Sequence, residues 1–142
     1  MTHKILVIDD DMLTRWALTT VLTRAGYHVR EAGSAKEGLT RARERVPNLV
    51  LLDLRLPDRN GAFVLQSLLQ LQPMPLVVMM SADATPETMR YLRRLGASSY
   101  LMKPCVPTAL VAQVDDLLHP PVQRASDVHG RFRIQSNPST DG

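Results

Sequence analysis

The stretch Asn48-Leu49-Val50-Leu51-Leu52-Asp53 places a short, continuous apolar run directly ahead of a carboxylate. A run of this length suits a buried strand, because helices need roughly 10–12 residues or more. The carboxylate that ends it is either a helix cap or a reactive group. Two neighbouring patterns favour reactivity. Ile5-Leu6-Val7-Ile8 runs into Asp9-Asp10-Asp11, and Tyr100-Leu101-Met102 runs into Lys103. If these strand ends meet, carboxylates and an ammonium share one cleft. Such a cleft suits a divalent cation and a phosphoryl group.

Extending outward, strand and helix patterns alternate along the chain. The spacing predicts strands near 4–9, 27–31, 48–53, 75–80 and 98–102, and helices near 12–25, 35–45, 61–71, 86–95 and 107–118. Local chemistry supports the boundaries. Gly26 follows the first helix as a stop, Ser34 caps the second, and Pro47 lies past its end. Thr85-Pro86 pairs a cap with proline at the first helical position. Gly96 follows Arg93-Arg94-Leu95, cations that suit a helix C-terminus. Strands separated by helices imply crossovers and a mostly parallel sheet covered on both faces. The near-continuous apolar strands fit that burial. Ligands of such sheets bind outside the carboxyl ends of the strands, and Asp9, Asp10, Asp53, Ser81 and Lys103 all fall there.

With 142 residues, 44% hydrophobic and 22% charged, the chain fits one domain with a proper core. The organisation expected is a domain over 1–119 and a linker or tail over 120–142, where His119-Pro120-Pro121 stops the last helix and apolar periodicity ends. No apolar stretch approaches a membrane span of roughly 18 residues, and the N-terminus carries no apolar signal core. The lone Cys105 excludes an internal disulfide and fits a reducing cytoplasm. His3, His28, His119 and His129 lack metal-ligand spacing. A net charge of +3 without a Lys/Arg run, and 4% aromatic residues, argue against direct nucleic-acid binding.

The chemistry of the strand ends follows from charge. Asp9 and Asp10 face opposite ways in a regular strand, but a strand end can turn both into one cleft. Joined by Asp53, they concentrate negative charge that a hard divalent cation relieves. Asp11 suits a cap of the helix that follows. Lys103 can hold phosphoryl oxygens as a point charge, with Pro104 keeping it extended. Ser81 can donate a hydroxyl.

These residues, in this order and spacing, resemble the receiver domain of two-component response regulators. The resemblance covers roughly residues 3–118 through Ile8-Asp9-Asp10-Asp11, Leu51-Leu52-Asp53-Leu54-Arg55-Leu56-Pro57, Asn60-Gly61, Ser81-Ala82, Gly96-Ala97 and Tyr100-Leu101-Met102-Lys103-Pro104. It implies an α/β, flavodoxin-like three-layer sandwich with a five-stranded parallel sheet ordered 2-1-3-4-5. It implies Asp53 as phospho-acceptor from a sensor histidine kinase or phosphotransfer protein. Mg2+ (or Mn2+) is implied on Asp10 and Asp53, on Asp9 through water, and on the backbone carbonyl of Arg55. Lys103, Ser81 and the Ala82 amide are implied to hold the phosphoryl group. Tyr100 is implied as a switch coupled to Ser81, turning into space that Ser81 vacates. The output surface would be helix 86–95, strand 98–102 and helix 107–118, open to a second copy or a downstream partner.

Departures from the family pattern are Asn60 where Asp is frequent, and Ser81 for the commoner Thr. Thr14-Arg15-Trp16 looks like receivers of nitrogen-regulation activators; as an ordinary helix residue, Trp16 would lie on a partly buried face. Rival functions fit less well. A haloacid-dehalogenase-type phosphatase needs a second acid two residues after its nucleophile, where Arg55 stands. A flavodoxin needs a phosphate-cradling first loop, and Asp9-Asp10-Asp11 would repel phosphate. A degenerate receiver used only for interaction usually lacks an acid or the lysine, which are all present. The chain is therefore expected to be no enzyme beyond its own phosphoryl transfer and dephosphorylation. It is either a stand-alone regulator or the receiver fragment of a longer DNA-binding one.

Overall fold

The computed structural model describes residues 2–83, 85–120 and 133–135. The elements alternate as β1 (Lys4–Ile8), α1 (Met12–Arg24), β2 (His28–Ala32), α2 (Ala35–Glu44), β3 (Leu49–Asp53), α3 (Gly61–Leu68), β4 (Leu76–Ser81), α4 (Pro86–Leu95), β5 (Ser99–Met102), α5 (Pro107–Leu118) and β6 (Arg133–Gln135). Every strand and helix expected from the sequence is present. The sheet is parallel in the order β2-β1-β3-β4-β5-β6, so its first five strands have the order 2-1-3-4-5.

Two expectations change. The third helix stops at Leu68, three residues early. The Leu71 N–H turns back to the Leu68 carbonyl at 3.1 Å, a tight turn ahead of Pro73, whose ring bars helical continuation. Within the segment expected to be only linker or tail, residues 133–135 add a sixth strand beside β5. The signal was the alternation of Phe132 and Ile134 with Arg131, Arg133 and Gln135, a period of two too short to stand out. The rest of that segment, 121–132 and 136–142, lies outside the described residues.

Strand alternation divides the core into two layers. Leu6, Ile8, Val50, Leu52, Val77, Met79 and Tyr100 pack with residues of α2, α3 and α4, including Leu39, Leu65 and Leu92. Their neighbours Ile5, Val7, Leu49, Leu51, Val78, Met80 and Leu101 pack with α1 and α5 through Leu18, Leu22, Leu110 and Val114. Each such side chain, fully buried, contributes roughly 1.5–3 kcal/mol. The central strand β3 is buried along its whole length, which explains why its sequence is apolar without alternation.

Helix starts follow sequence chemistry. The side chains of Asp11, Ser34, Asn60 and Thr85 accept backbone N–H groups of α1, α2, α3 and α4 respectively. Gly96 ends α4 at φ 111°, a left-handed conformation natural to glycine. Because β1 lies between β2 and β3, connections leave it in opposite directions and open a crevice at the carboxyl ends of β1 and β3.

Candidate functional site

That crevice holds the residues the sequence singled out. Asp9 follows β1 and is wholly buried, Asp10 beside it is exposed, and Asp53 ends β3 with 6% exposure. Carboxylate oxygens of Asp9, Asp10 and Asp53 lie within 4.8 Å of one another. Opposite them, Lys103 Nζ reaches Asp9 Oδ2 at 2.7 Å and Asp53 Oδ2 at 3.1 Å. One ammonium thus bridges two buried carboxylates.

The environment adjusts each group. Burial is the largest influence on Asp53 and raises its pKa; the nearby charge of Asp9 adds to this, while the Arg55 N–H and Lys103 oppose it. Burial pulls the Lys103 pKa down, but its contacts with Asp9 and Asp53 outweigh that and leave it raised. Three carboxylates facing one ammonium leave the cleft with excess negative charge. Hard oxygen donors at this spacing fit Mg2+ or Mn2+, which bind through one or two carboxylates while keeping waters.

The backbone holds the acids in place. Asp9 Oδ1 accepts the Asp11 N–H at 2.9 Å, and Asp53 Oδ1 accepts the Arg55 N–H at 3.2 Å. Asp11 caps α1, accepting the Leu13 N–H at 3.3 Å and the Thr14 hydroxyl at 2.6 Å. Arg15 was read from sequence only as part of Thr14-Arg15-Trp16, not singled out as a residue of the site. Its Nη1 donates to the Asp9 carbonyl at 2.7 Å and its Nε pairs with Glu31 at 3.3 Å, which ties the end of β1 to α1 and β2.

Gly61 sets the approach of α3. A Cβ there would meet the Asp53 carbonyl oxygen at 2.5 Å, Leu54 Cα at 2.7 Å and the Leu54 oxygen at 2.8 Å. These are backbone atoms and cannot swing aside. Gly61→Ala is therefore expected to lower the melting temperature by an amount equivalent to about 1–3 kcal/mol, the usual cost of overpacking. An unchanged melt would contradict this account of the loop.

At the end of β4, Ser81 is buried, and its Oγ accepts the Asp83 N–H at 3.0 Å. The hydroxyl proton is left to donate. The Ser81 carbonyl accepts the Lys103 N–H at 2.9 Å, fastening β4 to β5 beside the cleft. Ala82 follows at the exposed lip. Arg55 is exposed; backbone N–H bonds from Thr85 lead in lowering the Asp83 pKa, and the charge of Arg55 contributes. Asp58, also not singled out, accepts the N–H groups of Ala35 at 2.9 Å and Lys36 at 3.0 Å. It anchors the loop after β3 to the start of α2. Its position after Pro57 was the available signal.

At the periphery, the expectation for Trp16 shifts. Tyr100, implied as a switch coupled to Ser81, has a ring buried at 1% exposure. Its hydroxyl has no hydrogen-bond partner among the described residues, and burial raises its pKa against an opposing influence of Ser81. Trp16 is 66% exposed rather than partly buried, and Met12 and Leu13 beside it are exposed too. Met89 and Leu92 of α4 pack into the core, so the face left to solvent there is Tyr91 with arginines.

Residues 5–115 match the family model of the response regulator receiver domain. The DNA-binding response regulator MtrA of Mycobacterium tuberculosis is 40% identical over 114 residues, which is 80% of this chain and 50% of that protein. The probable transcriptional regulator ycf27 of Cyanophora paradoxa is 36% identical over 115 residues, 81% of this chain and 48% of that protein. The chain thus spans about half the length of these curated relatives. A CheY-like receiver domain protein from Methanospirillum hungatei superposes with a TM-score of 0.79 at 31% identity, covering 83% of this chain and 94% of that one. The receiver domain of NtrX from Brucella abortus does so with 0.76 at 29% identity, covering 82% and 99%. With its parallel sheet, its acidic crevice and a family match over most of its length, the chain belongs to the response regulator receiver domains.

Proposed function

We propose that this receiver takes a phosphoryl group onto Asp53 from the phosphohistidine of a sensor histidine kinase or phosphotransfer protein. An Asp53 oxygen attacks phosphorus, the P–N bond breaks, and its electron pair leaves with the imidazole. The product is an acyl phosphate. The observation that carries this reading is the Lys103 ammonium bridging Asp9 and Asp53 at 2.7 and 3.1 Å. It places one positive charge beside the nucleophile, where phosphoryl oxygens would arrive. Phosphoryl transfer needs such positioning and neutralisation more than covalent help from bystanders.

Asp10 and Asp53 would hold Mg2+ or Mn2+, with Asp9 acting through water and Arg55 through its backbone carbonyl. The ion would neutralise charge between nucleophile and phosphoryl oxygens. Lys103, the Ser81 hydroxyl and the Ala82 N–H would hold the transferred group. Its new charge would draw the Ser81 hydroxyl and give the buried Tyr100 hydroxyl a changed neighbour. Through Tyr100 it would bias the surface formed by α4, β5 and α5, used by a second copy or a downstream partner. The exposed Met12, Leu13 and Trp16 beside Asp10 and Asp11 suit docking of the phosphodonor protein.

No helix among the described residues is long and apolar enough to cross a membrane. With the single free Cys105, we assign the domain to the cytoplasm. It is a signalling domain without turnover beyond its own phosphorylation and dephosphorylation, and it does not itself contact nucleic acid. A second reading, that it serves a longer DNA-binding regulator, is favoured by its spanning 50% of a relative named as DNA-binding.

Acetyl phosphate with Mg2+ should add one phosphoryl group per chain, seen by intact mass. Chelation of the metal should abolish the addition. Unchanged mass with metal present, or equal uptake with chelator, would overturn the reading.

A further inference from the structure

In a sheet ending at β5, that strand would present a row of unpaired N–H and C=O groups ready to pair with another chain. Residues 133–135 occupy that edge in parallel, with Ser99 opposite Arg133, Tyr100 opposite Ile134 and Leu101 opposite Gln135. The edge is mechanically tied to the crevice. Lys103 lies one residue past the end of β5 at Met102, and its N–H is bonded to the Ser81 carbonyl.

We propose that residues 133–135 are a built-in strand that closes the β5 edge, and that any second chain adding a strand there must first displace them. Backbone polarity specifies which groups do this. The Lys103 N–H donates to the Ser81 carbonyl, on the β4 side, at 2.9 Å. Successive residues of a strand alternate in direction. The amides of Ser99 and Leu101 therefore face β4 with that of Lys103, while that of Tyr100 faces β6. In a parallel ladder, a residue bonds the two residues that flank the one opposite it. Tyr100 lies opposite Ile134, so its N–H meets the Arg133 carbonyl and its C=O meets the Gln135 N–H. Ile134 turns its backbone groups away from β5. A three-residue strand makes few such bonds, so the closure opens far more readily than the core unfolds.

The test is amide hydrogen exchange, residue by residue, on the full chain and on full-length Gln135→Pro. Proline removes the N–H that meets the Tyr100 carbonyl and fixes φ. Exchange at Tyr100 should accelerate by about tenfold or more in the variant, a loss of local protection, while exchange at Ser99 and Leu101 stays slow. Ile134→Pro, whose missing N–H points outward as proline in an edge strand requires, should keep Tyr100 slow. Equal rates at Tyr100 in the native chain and Gln135→Pro would overturn the proposal. So would equal acceleration at Ser99 and Leu101, or Ile134→Pro behaving like Gln135→Pro.

Discussion

Asp53→Asn should lose phosphoryl uptake from acetyl phosphate to background, yet melt higher than the native chain at neutral pH. Both results follow from one side chain. The amide keeps the size and shape of the carboxylate but not its nucleophilic oxygen, so no acyl phosphate forms. The stability gain has a separate cause. Asp53 is nearly buried, and desolvation, with the charge of Asp9, raises its pKa above the usual 3.8. A group whose pKa is raised by folding stabilises the fold below its unfolded value and loses that contribution as pH climbs through its folded value. At neutral pH the ionised carboxylate is therefore a liability, which the neutral amide removes. The Lys103 ammonium keeps Asp9 as a partner at 2.7 Å, so the substitution strands no cation. The excess melting temperature of Asp53→Asn should be largest near neutrality and shrink as pH falls toward 3.8. Intact-mass measurement and melts across pH check the two halves independently. A variant that still takes up phosphoryl would move the acceptor elsewhere, and one that melts lower at neutral pH would remove burial as the cause.

This coexistence of low stability and high reactivity explains why the site was so legible. A buried strand end is a costly place for a charge, so Asp9, Asp53 and Lys103 after apolar runs stood out against their surroundings. The same contrast gave the strands. β3 is buried on both faces, and its sequence shows nothing but apolar residues until Asp53. Caps at Ser34 and Thr85 and the stop at Gly96 were readable because each side chain or backbone conformation acts locally.

What escaped was non-local. Arg15 reaches the Asp9 carbonyl from a different element, and Asp58 caps a helix 23 positions earlier in the chain. Neither relation has a sequence period. Trp16 was misjudged because helical spacing says which residues share a face, but not whether a neighbour covers it. β6 was missed since a three-residue pairing depends on an available edge rather than on its own pattern. The inward position of Tyr100 is likewise a packing outcome: Met79 opposite it and Leu92 belong to the same buried layer.

Lys103→Met should be the most destabilising change in the crevice, and its deficit should be reversible by Mg2+. In the native chain, the ammonium bonds an Asp9 carboxylate that is completely buried and an Asp53 carboxylate that nearly is. Removing one partner of a buried pair leaves its charge uncompensated and costs about 3–5 kcal/mol. Lys103 is itself 23% exposed, so water recovers part of this and about 2–3 kcal/mol is expected. Methionine keeps the stem's packing, so the loss reports charge. The pH dependence has a definite sign. The carboxylates raise the Lys103 pKa despite burial, so its contribution is complete below the ordinary lysine value of 10.5 and fades only as pH rises through the folded value. The native chain's margin over the variant should therefore stay flat through neutral pH and shrink in strong alkali. With the ammonium gone, Asp9, Asp10 and Asp53 still converge within 4.8 Å, and a divalent cation becomes their main source of positive charge. Binding to the folded state alone stabilises it in proportion to the logarithm of ligand concentration over Kd. Mg2+ should thus raise the melting temperature of Lys103→Met more than that of the native chain. Phosphoryl uptake should nonetheless stay low, because the cation restores charge balance but not the ammonium beside Asp53. Melts with chelator and with Mg2+, paired with intact-mass assays, separate the two roles. Equal Mg2+ stabilisation of both proteins would show that Lys103 does not compete for these carboxylates, and native-level uptake would remove it from the transfer step.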